Sequence, residues 1–380
     1  MSSGKLKEST AIMILAILSA VSFMFPTALC NYSLTYELSN SSDPSANYRL
    51  NVAVSQSLYD YYVSESHTLA NAYGFAKFVT PNALQPIADS LSQIYVGDEE
   101  FVNGALVIVH QIPYEATAPS KYPVETIVDN KGDCDLFSFI AASILKAHGL
   151  SVVLLYYEKQ AHMNLGVNLA QEPQEARGEV SFVTSGSMRY YVAECTGGNW
   201  QDGWRVGECP DELKNTHPQV ITLENAEPSS PEQVTTSYRQ LSSSAITLST
   251  STTFAIQRST IILSGLLSPH LQNETITIYT RTNGMSWGAL GKATTDSNGA
   301  FSFAWIADAT AVCYVRASWS GDENYSAADS QTLTITTLSL FFVLMIGATL
   351  ALLIIGGAVY VFSRPHKQET FEPQAPEIPS

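Results

Sequence analysis

Thiol chemistry on an amide needs a thiolate, a base to share its proton, a third group to orient the base, and donors for the oxyanion. Cys134, His162 and Glu194 supply the first three in chain order. Cys134 lies in Lys131-Gly-Asp-Cys-Asp-Leu-Phe-Ser138. Behind it Leu136, Phe137, Ile140, Ile144 and Leu145 recur at helical spacing, Asp133 is a good N-cap, and Gly149 is a stop. The cysteine therefore falls in the first helical turn, where free backbone N–H groups and the positive dipole end favour a thiolate. A cysteine kept for packing belongs mid-helix on the apolar face, since free cysteine is among the most buried residue types. A carboxylate on the far side of His162 would fix its tautomer and favour the imidazolium. Glu194 is one candidate for that carboxylate and Asp202 another. A lone histidine is more often structural, and His110 and His148, inside helical segments, read that way.

The elements that must position these groups follow from pattern. Val152 to Tyr157 is a β-branched and aromatic run and reads as a buried strand. After a polar turn at Glu158 to Ala161, the run His162 to Asn168 alternates strictly. Met163, Leu165 and Val167 take one face, and His162, Asn164 and Asn168 the other. The pair predicts an antiparallel hairpin with His162 at its entrance. A polar loop from Gln171 to Ser187 precedes a third strand, Arg189 to Cys195. Upstream, Pro81 to roughly Gln111 reads as helical, with Leu84, Ile87, Leu91 and Ile94 in one stripe and Phe101, Leu106 and Val109 after Gly97. Tyr48 to Val63 reads as one or two strands, and Asn31 to Asn47 as a mobile leader.

From Pro228 to Ser244 the composition shifts to Ser, Thr, Pro and Glu, a linker signature. Ile246 to Thr337 consists of short alternating strands, with a tight turn at Asp296-Ser-Asn-Gly299, and predicts a β-sandwich without a catalytic constellation.

The chain has 380 residues, 45% apolar, which allows two or three domains with proper cores. A net charge of −16 argues against nucleic-acid binding, which needs clustered Lys and Arg. Five scattered cysteines (Cys30, Cys134, Cys195, Cys209, Cys313) form neither a disulfide framework nor a zinc site, and no metal or cofactor is expected. Ala11 to Leu29 is apolar behind Lys5 and Lys7, as in a signal peptide or signal anchor. Leu338 to Phe362 carries no charge and is followed by Arg364, His366 and Lys367. That predicts a transmembrane helix with the C-terminus in the cytoplasm and everything between the two segments outside the cell. Sequons at Asn31, Asn40, Asn273 and Asn324 are compatible with this topology.

Gly132-Asp-Cys-Asp, a helix ending in His-Gly-Leu, Ala161-His-Met-Asn-Leu-Gly-Val, and Tyr191-Val-Ala-Glu-Cys-Thr196 resemble the transglutaminase-like superfamily. The likeness is to its prokaryotic cell-surface branch, related in fold to papain-type peptidases. Val109-His-Gln-Ile-Pro-Tyr114, Tyr122 to Thr126 and Trp204 to Gly207 add to it. The resemblance implies an α+β fold with the cysteine helix packed on an antiparallel sheet. It implies Cys134 as nucleophile, His162 as base and acid, Glu194 as orienting acid where the superfamily commonly has Asp, and Gln111 as oxyanion donor. The segment with Trp319-Ser-Gly-Asp-Glu-Asn-Tyr-Ser-Ala327 resembles bacterial Ig-like domains, which implies a spacer or adhesion module.

The expected organisation is a signal segment (1–30), a transglutaminase-like domain (48–220), a linker (228–244), an Ig-like sandwich (245–337), a transmembrane helix (338–362) and a cytoplasmic tail (363–380). The expected function is amide cleavage or acyl transfer on protein or peptide substrates at the cell surface. The rival expectation is a catalytically silent binding module. A Cys195–Cys209 disulfide in the oxidising exterior stays open at this point, because strand alternation points Cys195 away from the Glu194 face.

Overall fold

The computed structural model describes residues 32–40, 43–197, 200–238, 242–283, 285–322, 324–325 and 327–362. The expected signal segment at 1–30 with Cys30, and the tail at 363–380, lie outside the described residues.

The first unit begins with an antiparallel ribbon of β1 (Tyr32–Asn40) and β2 (Asp43–Val54), where a mobile leader was expected. The ribbon is held because Tyr36, Leu38, Leu50, Val52 and Val54 alternate into the core. The second half of Tyr48 to Val63 is helix α1 (Gln56–Ser64), not strand. Ser55 caps it by accepting from the Leu58 N–H, and Leu58 and Tyr62, one turn apart, bury the same face.

Helices α2 (Pro81–Leu91) and α3 (Asp98–Val109) fall where the apolar stripe places them, broken near Gly97. Short α4 (Pro123–Asp129) precedes the central helix α5 (Cys134–Ala147). Every residue from Leu136 to Leu145 is buried, and α5 ends before Gly149, whose φ of +99° a side chain would disfavour.

Helix α5 packs on a five-stranded antiparallel sheet of order β5-β6-β4-β3-β7. Its strands are β3 (Ser151–Tyr157), β4 (His162–Asn168), β5 (Phe182–Ser185), β6 (Met188–Ala193) and β7 (Gln219–Thr222). The hairpin β3–β4 pairs Tyr157 with His162. Strand β5 forms inside what reads as a polar loop, and β7 closes the far edge of the sheet from a segment that reads as irregular up to Gln219. Met163, Leu165 and Val167 face the helices, whereas Val153, Leu155, Tyr157, Tyr190 and Val192 form a second, smaller core on the opposite face. Truncating Phe139 or Phe137, both buried in the core around α5, would cost roughly 3–5 kcal/mol.

Of the segment expected as a linker, the described residues 228–238 are packed against the first unit. Strand β8 (Thr235–Ser237) adds to β2, and Val234 and Glu232 are buried. A composition rich in Ser and Thr is also what a short strand with polar neighbours uses, so it reads as a linker without being one.

The second unit comprises β9 (Ala245–Thr250), β10 (Phe254–Ile256), β11 (Thr260–Ser268), β12 (Thr275–Thr282), β13 (Gly288–Thr294), β14 (Ala300–Ile306), β15 (Val312–Trp319), β16 (Ala328–Asp329) and β17 (Leu333–Leu338). They form two sheets, β14-β11-β9 and β10-β17-β15-β12-β13, with β16 on β15. Between them lies a core of Leu248, Ile261, Leu263, Ile276, Ile278, Val315, Trp319 and Ile335. The Asp296 to Gly299 turn is present, with Gly299 at a φ of +74°.

The two units dock through a polar seam. The Glu232 carboxylate accepts from Ser55 (3.0 Å), Ser318 (3.0 Å), Ser320 (3.0 Å) and Tyr279 (3.1 Å). Asp329 accepts from Ser57, and Arg316 pairs with Asp60 on α1 at 2.9 Å.

Helix α6 (Leu340–Phe362) has 23 residues and no charged side chain. Its side chains are described at 340–345, 348–349 and 352–355. Among the described residues no helix is long and apolar enough to cross a membrane. The expected span over 338–362 is therefore not a structural finding.

Candidate active site

Cys134 is the first residue of α5, half-buried, at the end where the helix leaves its backbone N–H groups unbonded. Asp133 occupies the cap position, but its side chain does not cap the helix. Its Oδ2 accepts from the Thr117 N–H at 2.7 Å instead and ties the incoming loop to the helix start. Ser138, one turn into α5, donates to the Cys134 carbonyl (2.7 Å) and contacts the Met163 carbonyl (3.2 Å). That pins the helix to the strand His162 opens.

His162 follows Ala161, whose backbone is left-handed (φ +47°) and turns the chain into β4. Its Nε2 is 3.0 Å from Glu194 Oε2. The Cys134 sulfur contacts the carbonyl of Ala161, the residue just before His162, at 3.9 Å, and Cys134 is close enough to the imidazole to help raise its pKa. Thiol, imidazole and carboxylate are thus gathered at one place, although they are 28 and 32 residues apart in the chain.

Glu194 is fully buried just past the end of β6. Its Oε2 also accepts from Asn164 Nδ2 (3.0 Å), and its Oε1 from the Thr196 N–H (2.9 Å) and hydroxyl (2.6 Å). All its acceptor directions are used, so it has one orientation. Burial, the largest influence, would raise its pKa. The His162 bond and charge, with Thr196 and Asn164, outweigh it and hold Glu194 below the usual carboxylate range. Burial likewise pushes His162 down, but bonds and charges from Cys134 and Glu194 overcome it and lift the imidazole to about 10. The arrangement favours an imidazolium against the Glu194 carboxylate.

Asp202, the alternative acid, is exposed and pairs with Arg177. His110 is half-buried with its Nε2 3.0 Å from the Glu194 carbonyl, and His148 stacks on Phe101, both as structural residues. Gln111 is not brought to the thiol. Its Oε1 accepts from the Glu37 N–H and its Nε2 donates to the Glu37 and Val107 carbonyls, so it clasps β1 to α3. The expectation of Gln111 as oxyanion donor is corrected accordingly: a side chain holding two strand groups at 2.8 Å has no donor to spare for a carbonyl. Cys195 and Cys209 are both free thiols, one in the helix-facing core and the other in the opposite core, so the sheet separates them.

Asn164, Thr196 and Ser138 carry weight that sequence reasoning did not assign. Asn164 and Thr196 each lie two residues from a line member, so period-2 alternation is the signal that could have found them. Ser138 is four residues after Cys134, the helical equivalent.

A cleft of about 530 Å³ opens beside His162, lined by Gln160, Thr196, Trp204, Leu213 and the charged Asp211, Glu212 and Lys214. Among the described residues no group of His, Cys, Asp and Glu is arranged to hold a metal ion. No protein-family model matches the chain, and no curated protein matches it.

Proposed function

We propose that the chain is a membrane-anchored, outward-facing thiol enzyme that cleaves or exchanges amide bonds through an acyl-enzyme. The observation that carries this is the Cys134–His162–Glu194 line, with every oxygen of its carboxylate bonded. The Cys134 sulfur attacks the amide carbon, and the carbonyl pair moves to oxygen. When the pair returns, the C–N bond breaks and the amine leaves with the proton His162 held. Water or a second amine then releases the acyl group, which gives hydrolysis or transfer.

The fold supports a transglutaminase-like, papain-related assignment for the first unit, because its cysteine helix lies on an antiparallel sheet that brings in base and acid. Two face-to-face sheets around one core support an Ig-like reading of the second. Anchoring rests on the uncharged run at 338–362 and the Arg and Lys that follow it. The described side chains Leu340, Phe341, Phe342, Leu344 and Met345 are exposed, an arrangement lipid favours over water. Proteins or peptides at the cell surface are the proposed substrates.

The test is alkylation of the full-length protein by iodoacetamide across pH, with Cys134→Ala as control. An activated thiol reacts well below the free-cysteine pKa of about 8.5. A rate that follows that of free cysteine, or turnover that survives Cys134→Ala, refutes the enzyme and leaves a binding module.

A further inference from the structure

With Gln111 engaged elsewhere, the thiol line has no side-chain oxyanion donor from the position first expected. Tyr114 stands three residues on. Its backbone is zipped to the turn before the nucleophile: Gly132 N–H donates to the Pro113 carbonyl (3.2 Å), and Glu115 N–H donates to the Gly132 carbonyl (2.7 Å). Lys131 pairs with Glu115, and the Asp133 carboxylate holds the Thr117 N–H, so the same loop is fastened on both sides of Tyr114. The Tyr114 ring stands edge-on to Phe137, 6.2 Å between centroids. Phe137 is three residues after Cys134, so the two share one helix face. Tyr114 is 63% exposed as a residue, and its hydroxyl has no protein partner among the described residues.

An exposed tyrosine on a fixed backbone, resting on the ring beside the nucleophile with a free O–H, is a donor without an acceptor. Electrostatic coupling of the phenol to Cys134, after partial burial, raises its pKa, so the proton stays on oxygen. That is the state a donor needs.

We propose that the Tyr114 hydroxyl, together with the Cys134 backbone N–H, donates to the oxyanion formed when the Cys134 sulfur attacks an acyl carbon. The inference rests on the proposed thiol chemistry. In the step, the S–C bond forms and the carbonyl π pair moves to oxygen, where the two donors hold it. The pair then returns and expels the leaving group, with Tyr114 keeping its proton throughout. The donation strengthens only as charge develops, which is what raises a rate rather than an affinity.

Two probes separate this from a structural role in the full-length protein. p-Nitrophenyl acetate acylates a thiol through a tetrahedral oxyanion and releases p-nitrophenolate. Iodoacetamide alkylates by displacing iodide at a saturated carbon, with no oxyanion at all. Tyr114→Phe keeps the ring against Phe137 and removes only the hydroxyl. It should slow Cys134-dependent acylation by about 10- to 100-fold, toward the lower end of losses known for one oxyanion donor, and leave alkylation within about twofold. Equal effects on both probes, or none on acylation, overturn the inference while the activated thiol stands. So does a wild-type protein that alkylates readily but shows no Cys134-dependent acylation, because there is then no oxyanion stabilisation to lose. A wild-type thiol that alkylates no faster than free cysteine defeats the proposed function itself, a separate reading from the same pair of assays.

Discussion

Glu194 and Glu232 are both buried glutamates ringed by hydrogen-bond donors, yet their protons behave in opposite ways. Glu194 is held below the ordinary range, although burial works against it, because the His162 imidazolium lies at 3.0 Å with Thr196 and Asn164 behind it. Glu232, at the seam between the two units, is pushed up to about 7 by burial and by the nearby Asp329 charge. Three serine hydroxyls lower it without reversing the outcome. Hydroxyls alone do not keep a buried carboxylate charged; a cation does. One region therefore holds a charged carboxylate against an imidazole, and the other a carboxyl that is neutral in mild acid.

Glu194→Gln tests the charged half most severely. It keeps the shape but removes the charge that orients and supports His162. Acylation by p-nitrophenyl acetate should fall by about 10²- to 10⁴-fold, the range attached to a positioned acid–base group. The histidine should also lose its proton at lower pH. With its folded pKa above its ordinary 6.5, the stabilisation it contributes is present below 6.5 and lost as pH rises through about 10. In the variant that loss should move down in pH, as read by thermal melting and by histidine NMR.

Glu232→Gln tests the other half through stability. The folded protein holds a proton on Glu232 that the unfolded chain releases near 4.5, so stability from this group falls as pH rises from about 4.5 to 7. The variant should flatten that slope and be more stable at pH 8 by up to roughly 3 kcal/mol, with alkylation of Cys134 unchanged. A melting temperature whose pH dependence matches wild type would show that Glu232 stays charged.

Ser55→Ala is a smaller change to the same seam. It removes a donor to Glu232 and the cap on α1 together, at a cost of about 1–2 kcal/mol by denaturant titration. Asp202→Asn should do least. Its side chain is exposed beside Arg177, so acylation should hold within about twofold and stability within roughly 0.5 kcal/mol. A large loss in acylation would make Asp202 rather than Glu194 the orienting acid.

Local pattern carried the site a long way. Helical spacing behind Cys134 placed α5, and strict alternation from His162 to Asn168 placed β4 with His162 at its start. Both signals concern residues within a few positions of one another, and each element buries one consistent face. Pattern failed where short-range chemistry was ambiguous. Tyr48 to Val63 holds enough alternation to suggest strand throughout, but the Ser55 cap begins a helix inside it. A Ser- and Asn-rich stretch at 31–47 and a Ser-, Thr-, Pro- and Glu-rich one at 228–244 read as loose, yet Tyr32–Asn40 and Thr235–Ser237 within them pair with β2 as strands.

The residue types, their order and the helix and strand that bear the thiol and the imidazole are properties of the sequence alone, because periodicity fixes which face each side chain takes. Folding alone decided which carboxylate meets His162, that Gln111 spends its amide on Glu37, and that Tyr114 is bridged to the loop before Cys134. Each of these is a contact between segments far apart in the chain, and hydrogen-bond partners at that range are chosen by packing, which no local pattern encodes.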